Sequence, residues 1–398
     1  MKNSTISSIL LFVKKETVFC IAALLAVISA FFVPPSAEYL EYIDCRVLAL
    51  LFCLMLVVAG FQSIGFFRYL AEKLLSGAGN TRILCLLLTA LCFFSSMLIT
   101  NDVALITFVP FAIMLLSMAG HTNLLIPVIV LQTIAANLGS MLTPVGNPQN
   151  LYLYSAYGIS MGDFLKFMLP LTLVSAGMIL ISIFLLPNRK LEALHPDTSD
   201  SPLQADAGSR ADSASKSDAP ACVKCPSGRK LLAYMALFAV CLLCVVRILP
   251  WPAMLIILIV AVFFLDRHLF RTVDYFLLLT FVCFFLFTGN MERIPAVSAF
   301  LRSFIEGREL MLGTALSQCI SNVPAALLLS GFTGKVRPLL YGVNIGGLGT
   351  LIASLASVIS YRLYGNSRNA RKGAYLKTFT LYNVIFLLVL YGTALLLL

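Results

Sequence analysis

The sequence is poor in charge. Asp, Glu, Lys and Arg make up 12% of its 398 residues, against roughly 25% in soluble domains that must face water on all sides. That shortage excludes a soluble enzyme. Because the 60% of apolar residues runs along the whole length, a disordered chain, a collagen and a small disulfide scaffold are excluded as well. Histidine is nearly missing: His121, His195 and His268 fall at loop positions and make no ligand cluster. Tryptophan occurs once, as Trp251 between Pro250 and Pro252, where an interfacial anchor is expected. Apolar runs carry no second central acid and no buried histidine, so an intramembrane enzyme lacks its nucleophile and base or its acid pair. What remains is an all-α polytopic membrane protein.

The net charge of +10 does not mark a nucleic-acid binder, since Lys and Arg sit in short segments between apolar runs. Most of the 11 cysteines lie inside those runs, where a thiol acts as a small apolar side chain. A spanning helix needs about 20 apolar residues. Nine spans are read at residues 17–33, 46–61, 123–157, 163–187, 230–247, 251–265, 273–289, 338–360 and 375–397, with 123–157 and 338–360 interrupted. Two further apolar stretches, 83–118 and 309–333, are each split by a polar tip and read as re-entrant hairpins. With the N-terminus in the cytoplasm, 20 of the 28 Lys and Arg fall on inner segments and 8 on outer ones, which places the C-terminus outside. Residues 188–229 replace Leu and Phe with Asp, Ser, Ala, Pro and Lys and read as a disordered cytoplasmic linker; Cys222 and Cys225 within it lack a second pair that would make a zinc site.

The linker separates two halves that echo each other. After an N-terminal segment (1–43), residues 44–187 form a first repeat: a scaffold helix, the hairpin 83–118, the broken helix 123–157 and the helix 163–187. Two scaffold helices (230–272) lead to a second repeat, 273–398, with the hairpin 309–333, the broken helix 338–360 and the helix 375–397. Asp44 before an apolar run matches Asp274; the tip Ile99-Thr100-Asn101 matches Ile320-Ser321-Asn322; Asn137-Leu138-Gly139 through Thr143 matches Asn344-Ile345-Gly346 through Thr350. By the span count the second repeat starts from the opposite side of the membrane, an arrangement that points to alternating access around a site between repeats.

Interrupted backbone survives in hydrocarbon only where it lines water, ligand or packed protein. Asn147-Pro148 reads as an N-cap followed by proline at the first helical position, and Asn322 with Pro324 as a similar start. Helix N-termini thereby converge, each with free N–H groups and partial positive charge. No Lys or Arg lies in the middle of any span, so a bound anion relies on those N-termini and on Thr100, Asn101, Asn147, Ser321, Asn322 and Thr350. Asp102, Asn137, Gly139, Gly146, Asn344 and Gly346 are the candidate ion-coupling positions, with freed carbonyls able to hold sodium. Asp102, the one acid at a predicted buried tip, either caps the second hairpin arm or couples a cation or proton.

The stretch Gly146-Asn147-Pro148-Gln149-Asn150 and the paired tips resemble the ion transporter superfamily, which includes divalent anion/sodium symporters, citrate permeases, and the arsenite-efflux and sodium/proton-antiporter branch. The resemblance covers nearly the whole chain from residue 44, the linker aside. It implies an elevator mechanism on a dimeric scaffold, a small-anion substrate, sodium or proton as coupling ion, no other cofactor, no nucleic-acid partner and a place in the cytoplasmic membrane. In the symporter branch each tip reads Ser-Asn-Thr; here the tips read Thr100-Asn101-Asp102 and Ser321-Asn322-Val323, so the asparagines and preceding hydroxyls carry over and both threonines are replaced. The arsenite and antiporter branch has an acid beside the hairpin asparagine, but before it. Both branches stay open.

Overall fold

The computed structural model describes residues 16–75, 79–189, 228–367 and 370–398. The linker expected over 188–229 lies outside them apart from its edges, as do Cys222 and Cys225. The described residues are helical and contain no strand. In chain order the helices are α1 (Thr17–Phe32), α2 (Cys45–Ser63), α3 (Phe66–Leu75), α4 (Thr81–Ser95), α5 (Asn101–Met118), α6 (Leu125–Ser140), α7 (Pro148–Ala156) and α8 (Met161–Phe184). After the linker come α9 (Gly228–Val245), α10 (Trp251–Asp266), α11 (Tyr275–Glu292), α12 (Pro295–Ile305), α13 (Glu309–Ile320), α14 (Asn322–Ser330), α15 (Val336–Ile345), α16 (Leu355–Gly365) and α17 (Lys372–Leu397).

Among the described residues, eight helical segments are long and apolar enough to cross a membrane. They differ from the nine spans read from the sequence for a reason of length. Α second hairpin arm of 18 residues, α5, qualifies, whereas α1 with 16 residues does not, and the second interrupted helix divides into pieces of 10 and 11 residues. Two short helices, α3 and α12, were not foreseen. Each follows the scaffold helix of its half, and each mixes aromatic residues with charged ones, as helices lying along a membrane surface do.

Equivalent elements of the halves begin in the same way. Asp44 caps α2 by accepting from the Val47 N–H at 3.0 Å, and Asp274 caps α11 by accepting from the Leu277 N–H at 3.0 Å. Their backbone angles nearly coincide, φ −74 and ψ 87 against φ −79 and ψ 86. Packing repeats as well: α4 lies along α6, and α13 along α15. Each hairpin's second arm crosses to the other half, α5 onto α16 and α14 onto α7. The core centres on α6, nearly all of whose residues are buried, while α10 and α17 keep large apolar side chains on the outside, as a bilayer solvent permits.

Candidate functional site at the two helix breaks

Each interrupted helix stops, makes one short 3₁₀ turn and restarts. In the first, α6 ends at Ser140, the turn spans Pro144–Gly146, and α7 begins at Pro148. In the second, α15 ends at Ile345, the turn spans Leu351–Ala353, and α16 begins at Leu355. Asn147 is the expected N-cap, accepting from the Asn150 N–H at 3.0 Å with proline next in line. Ser354 holds the same position before α16.

These caps reach across the halves. Asn147 Nδ2 donates to Asn344 Oδ1 at 3.3 Å, and Ser354 Oγ donates to Asn137 Oδ1 at 3.0 Å. In the repeat register Asn147 corresponds to Ser354 and Asn137 to Asn344, so exchanging the halves turns one bond into the other. All four side chains are at least nine-tenths buried. Two buried hydrogen bonds related by a two-fold exchange therefore join the breaks.

Both hairpin tips arrive at this cluster. Asn101 Nδ2 donates to Asn137 Oδ1 at 2.9 Å, and Asn137 Nδ2 passes the contact on to Gly347 O at 3.5 Å. Asn322 lies against Gly347, its Nδ2 3.0 Å from where a side chain there would begin. Four helices, α5, α7, α14 and α16, start around the cluster, so their free N–H groups and positive ends converge on it. The asparagine amides and serine hydroxyls offer donors and acceptors together, with no lysine or arginine among them.

The other site candidates occupy distinct places. Thr100 is the N-cap residue of α5 without a side-chain cap bond. Asp102 is the second residue of that helix; its N–H donates to Asn101 Oδ1 at 3.0 Å, and its buried Oδ1 has no hydrogen-bond partner. It is therefore not the helix cap. At the second tip the N-cap is Ser321 and Asn322 is the first helical residue, one step earlier than Asn322 with Pro324 suggested. Ser321 has φ 75 and ψ 155, a region almost reserved for glycine. Gly139 and Gly346 face the first arms of their own hairpins: a β-carbon would stand 2.1 Å from Phe93 O in one case and 2.6 Å from Ser317 Oγ in the other. Gly146 folds back onto Ser140, with 2.2 Å left for a β-carbon beside Ser140 O. Thr350 is exposed and away from the cluster; its Oγ1 donates to Gln318 O at 3.0 Å. Thr143, in the same register, donates to Met97 O.

Several carbonyls expected to be free are already accepting. Asn150 Nδ2 donates to Met141 O at 3.2 Å and Thr143 O at 3.4 Å, and Gln318 Nε2 donates to Gly346 O at 2.8 Å and Leu348 O at 2.9 Å. Asn344 Nδ2 in turn donates to Asn150 Oδ1 at 2.7 Å. Asn150, Gln318 and Ser354 take part in these contacts although they are not among the candidates that the sequence singles out. Extending the repeat alignment past Thr350 finds Ser354 opposite Asn147; Gln318 was signalled only by being a lone amide on an apolar arm.

A family model described as "Citrate transporter" matches residues 8–334. The chain belongs to the citrate transporter family. Among curated relatives, the uncharacterized transporter MJ0456 of Methanocaldococcus jannaschii is 32% identical over 361 residues, which is 90% of this chain and 91% of that protein. The inner membrane protein YbiR of Escherichia coli K12 is 29% identical over 347 residues, 85% of each. The silicon efflux transporter LSI3 of rice is 31% identical over 168 residues, 42% of this chain and 34% of that protein. As a member of the citrate transporter family the chain is a multi-pass membrane transporter, and its buried asparagine cluster lies where the two halves of that transporter meet.

Proposed function

We propose that this protein is a secondary active transporter that moves a small anion, a di- or tricarboxylate or an inorganic oxyanion, across the cytoplasmic membrane, coupled to sodium or protons. The observation that supports it is the two-fold-related pair Asn147 to Asn344 and Ser354 to Asn137, with hairpin Asn101 joined to the same cluster. Polar side chains buried among apolar helices are expensive and commonly mark a substrate or ion path, and helix N-termini are suited to anions. In this reading Thr100, Asn101, Asn147, Ser321 and Asn322 receive the anion, Asp102, Asn137 and Asn344 communicate with the coupling ion, and the paired hairpins and broken helices travel as an elevator against α2, α9, α10 and α11. The working unit is a homodimer with the N-terminus in the cytoplasm and the C-terminus outside.

A second reading, a sodium/proton antiporter or arsenite efflux permease, is favoured by one specific feature. Asp102 carries a buried carboxylate oxygen without a partner, next to the tip asparagine, as an exchanging group requires. The test is purified protein in liposomes, with citrate, succinate, sulfate and arsenite offered under imposed sodium and proton gradients. Gradient-dependent movement of one anion, reduced at least about tenfold in Asn101→Ala, is the expected result, a loss of roughly 1.4 kcal/mol. Asp102→Asn separates the readings: it leaves sodium-coupled anion uptake measurable and abolishes antiport. Absence of flux for every solute under both gradients defeats the proposal.

A further inference from the structure

A second polar feature lies away from the breaks, at the end of the scaffold where α2 begins, α9 ends and α10 begins. A cavity of about 310 Å³ there is lined by Arg46, Arg247, Ile248, Leu249, Pro250 and Trp251. Arg46 reaches from the first turn of α2 to Cys244 O at 3.3 Å. Arg247 donates to Gly158 O at 3.0 Å and Tyr154 O at 3.4 Å and lies over the Tyr154 ring at 5.4 Å. Its backbone has φ 68, a conformation rarely held by a residue with a side chain. Three contacts thus hold the guanidinium of Arg247, a residue that lines the cavity.

The two guanidiniums are undersupplied with acceptors. Arg46 uses one of its five N–H donors and Arg247 two, and among the described residues no carboxylate pairs with either. Asp44, the acid nearest Arg46 in sequence, accepts from the Val47 N–H. Two like charges in one cavity repel unless an anion sits between them. The N-terminus of α10 opens at Trp251 on the same cavity; with Pro250 and Pro252 lacking an N–H, it adds the positive end of the helix and the N–H groups of Trp251 and Ala253.

The surroundings select the kind of anion. From Trp251 the α10 helix continues with Ile256, Val260, Phe263 and Phe264 turned outward, an uninterrupted apolar track starting at the cavity. A ligand with a phosphate at one end and acyl chains at the other matches both parts. We propose that the Arg46–Arg247 cavity binds the phosphate of an anionic phospholipid, whose chains lie along α10. Basic pockets between membrane helices bind anionic lipid headgroups.

Trp251 is the single tryptophan of the chain and lines the cavity, so its fluorescence reports occupancy directly. The full protein is reconstituted with acyl-brominated phosphatidylglycerol or acyl-brominated phosphatidylcholine as quencher. The anionic lipid should quench Trp251 at a mole fraction at least about fivefold lower than the zwitterionic one, the preference expected for one guanidinium near a lipid phosphate. Arg46→Gln should reduce that preference by about the same factor and Arg46→Lys should retain most of it. An unchanged Trp251 spectrum of both variants in phosphatidylcholine certifies the fold. Equal quenching by the two lipids, or a preference that Arg46→Gln leaves intact, overturns the proposal. Relief of quenching by millimolar inorganic phosphate also overturns it, assigning the cavity to a free phosphate.

Discussion

The two helix breaks use the same scheme and different fastenings. In the first, the backbone between α6 and α7 is stitched from within: Asn150, on the restarting helix, donates to Met141 O and Thr143 O. In the second, the corresponding residue on α16 is Ser357, whose buried hydroxyl has no partner, and the fastening comes from the hairpin through Gln318, which takes Gly346 O, Leu348 O and the Thr350 N–H. Met97, opposite Gln318 in the first hairpin, contributes only its backbone carbonyl. The first break is thus fastened mainly from within, with the single Thr143 to Met97 O bond reaching its hairpin, whereas the second is tied to its hairpin by the Gln318 amide as well. A repeat preserves the positions where helices must stop, because unsatisfied backbone is intolerable in hydrocarbon at either place, but any nearby amide can satisfy it.

Removing the shared bonds should have the largest effect. Asn137 and Asn344 each make three hydrogen bonds while buried. Asn137→Leu and Asn344→Leu should each cost about 3 kcal/mol or more, since several buried partners lose their mates at once, and should stop transport. Thermal unfolding in detergent together with liposome flux measures both, and a variant stable to within about 0.5 kcal/mol would show that the crossed bonds do not hold the halves.

Exchanging the fastenings between halves sharpens the contrast at a smaller scale. Gln318→Met inserts the first hairpin's residue and should cost about 2 kcal/mol, exposing the Thr350 amide to faster hydrogen exchange. Asn150→Ser inserts the residue of α16 and should accelerate exchange within 141–147 instead. If both variants loosened the same segment, the breaks would not be fastened independently.

The tips should give the smallest effect, of opposite sign. Thr100 has φ −63 and ψ 148, an ordinary extended conformation, whereas Ser321 has φ 75. Ser321→Gly relieves strain and should stabilise by roughly 1 kcal/mol, while Thr100→Gly should destabilise by a similar amount through added freedom of the unfolded chain. Melting temperatures of the pair provide the check; a matching sign would mean that the tips are conformationally alike.

Much of the candidate cluster is legible in the sequence. Asn137, Asn147 and Asn344 stand near glycine or proline in apolar runs and Asn101 at a polar hairpin tip, and the four meet. Thr350 was included on the same ground and instead fastens a hairpin from an exposed position. Glycines at 139 and 346 marked close packing of α6 and α15 on their hairpins, a role that a residue pattern does not separate from lining a site. Gln318, an amide on a mostly apolar arm, gave no comparable signal.

The sequence by itself determined where the long apolar helices run and where they break, because the bilayer's demand is local: an apolar stretch of sufficient length satisfies its own backbone, and Asn, Pro and Gly interrupt it at defined positions. It also carries matching landmarks that recur in the same order in its two halves. Which polar group meets which was decided only by tertiary structure. The bond from Asn147 to Asn344, the reach of Gln318 to Leu348 and the convergence of Arg46 with Arg247 join residues far apart in the chain. A hydrogen bond depends on a few tenths of an ångström and on angle, quantities that no residue pattern carries and that helix packing alone sets.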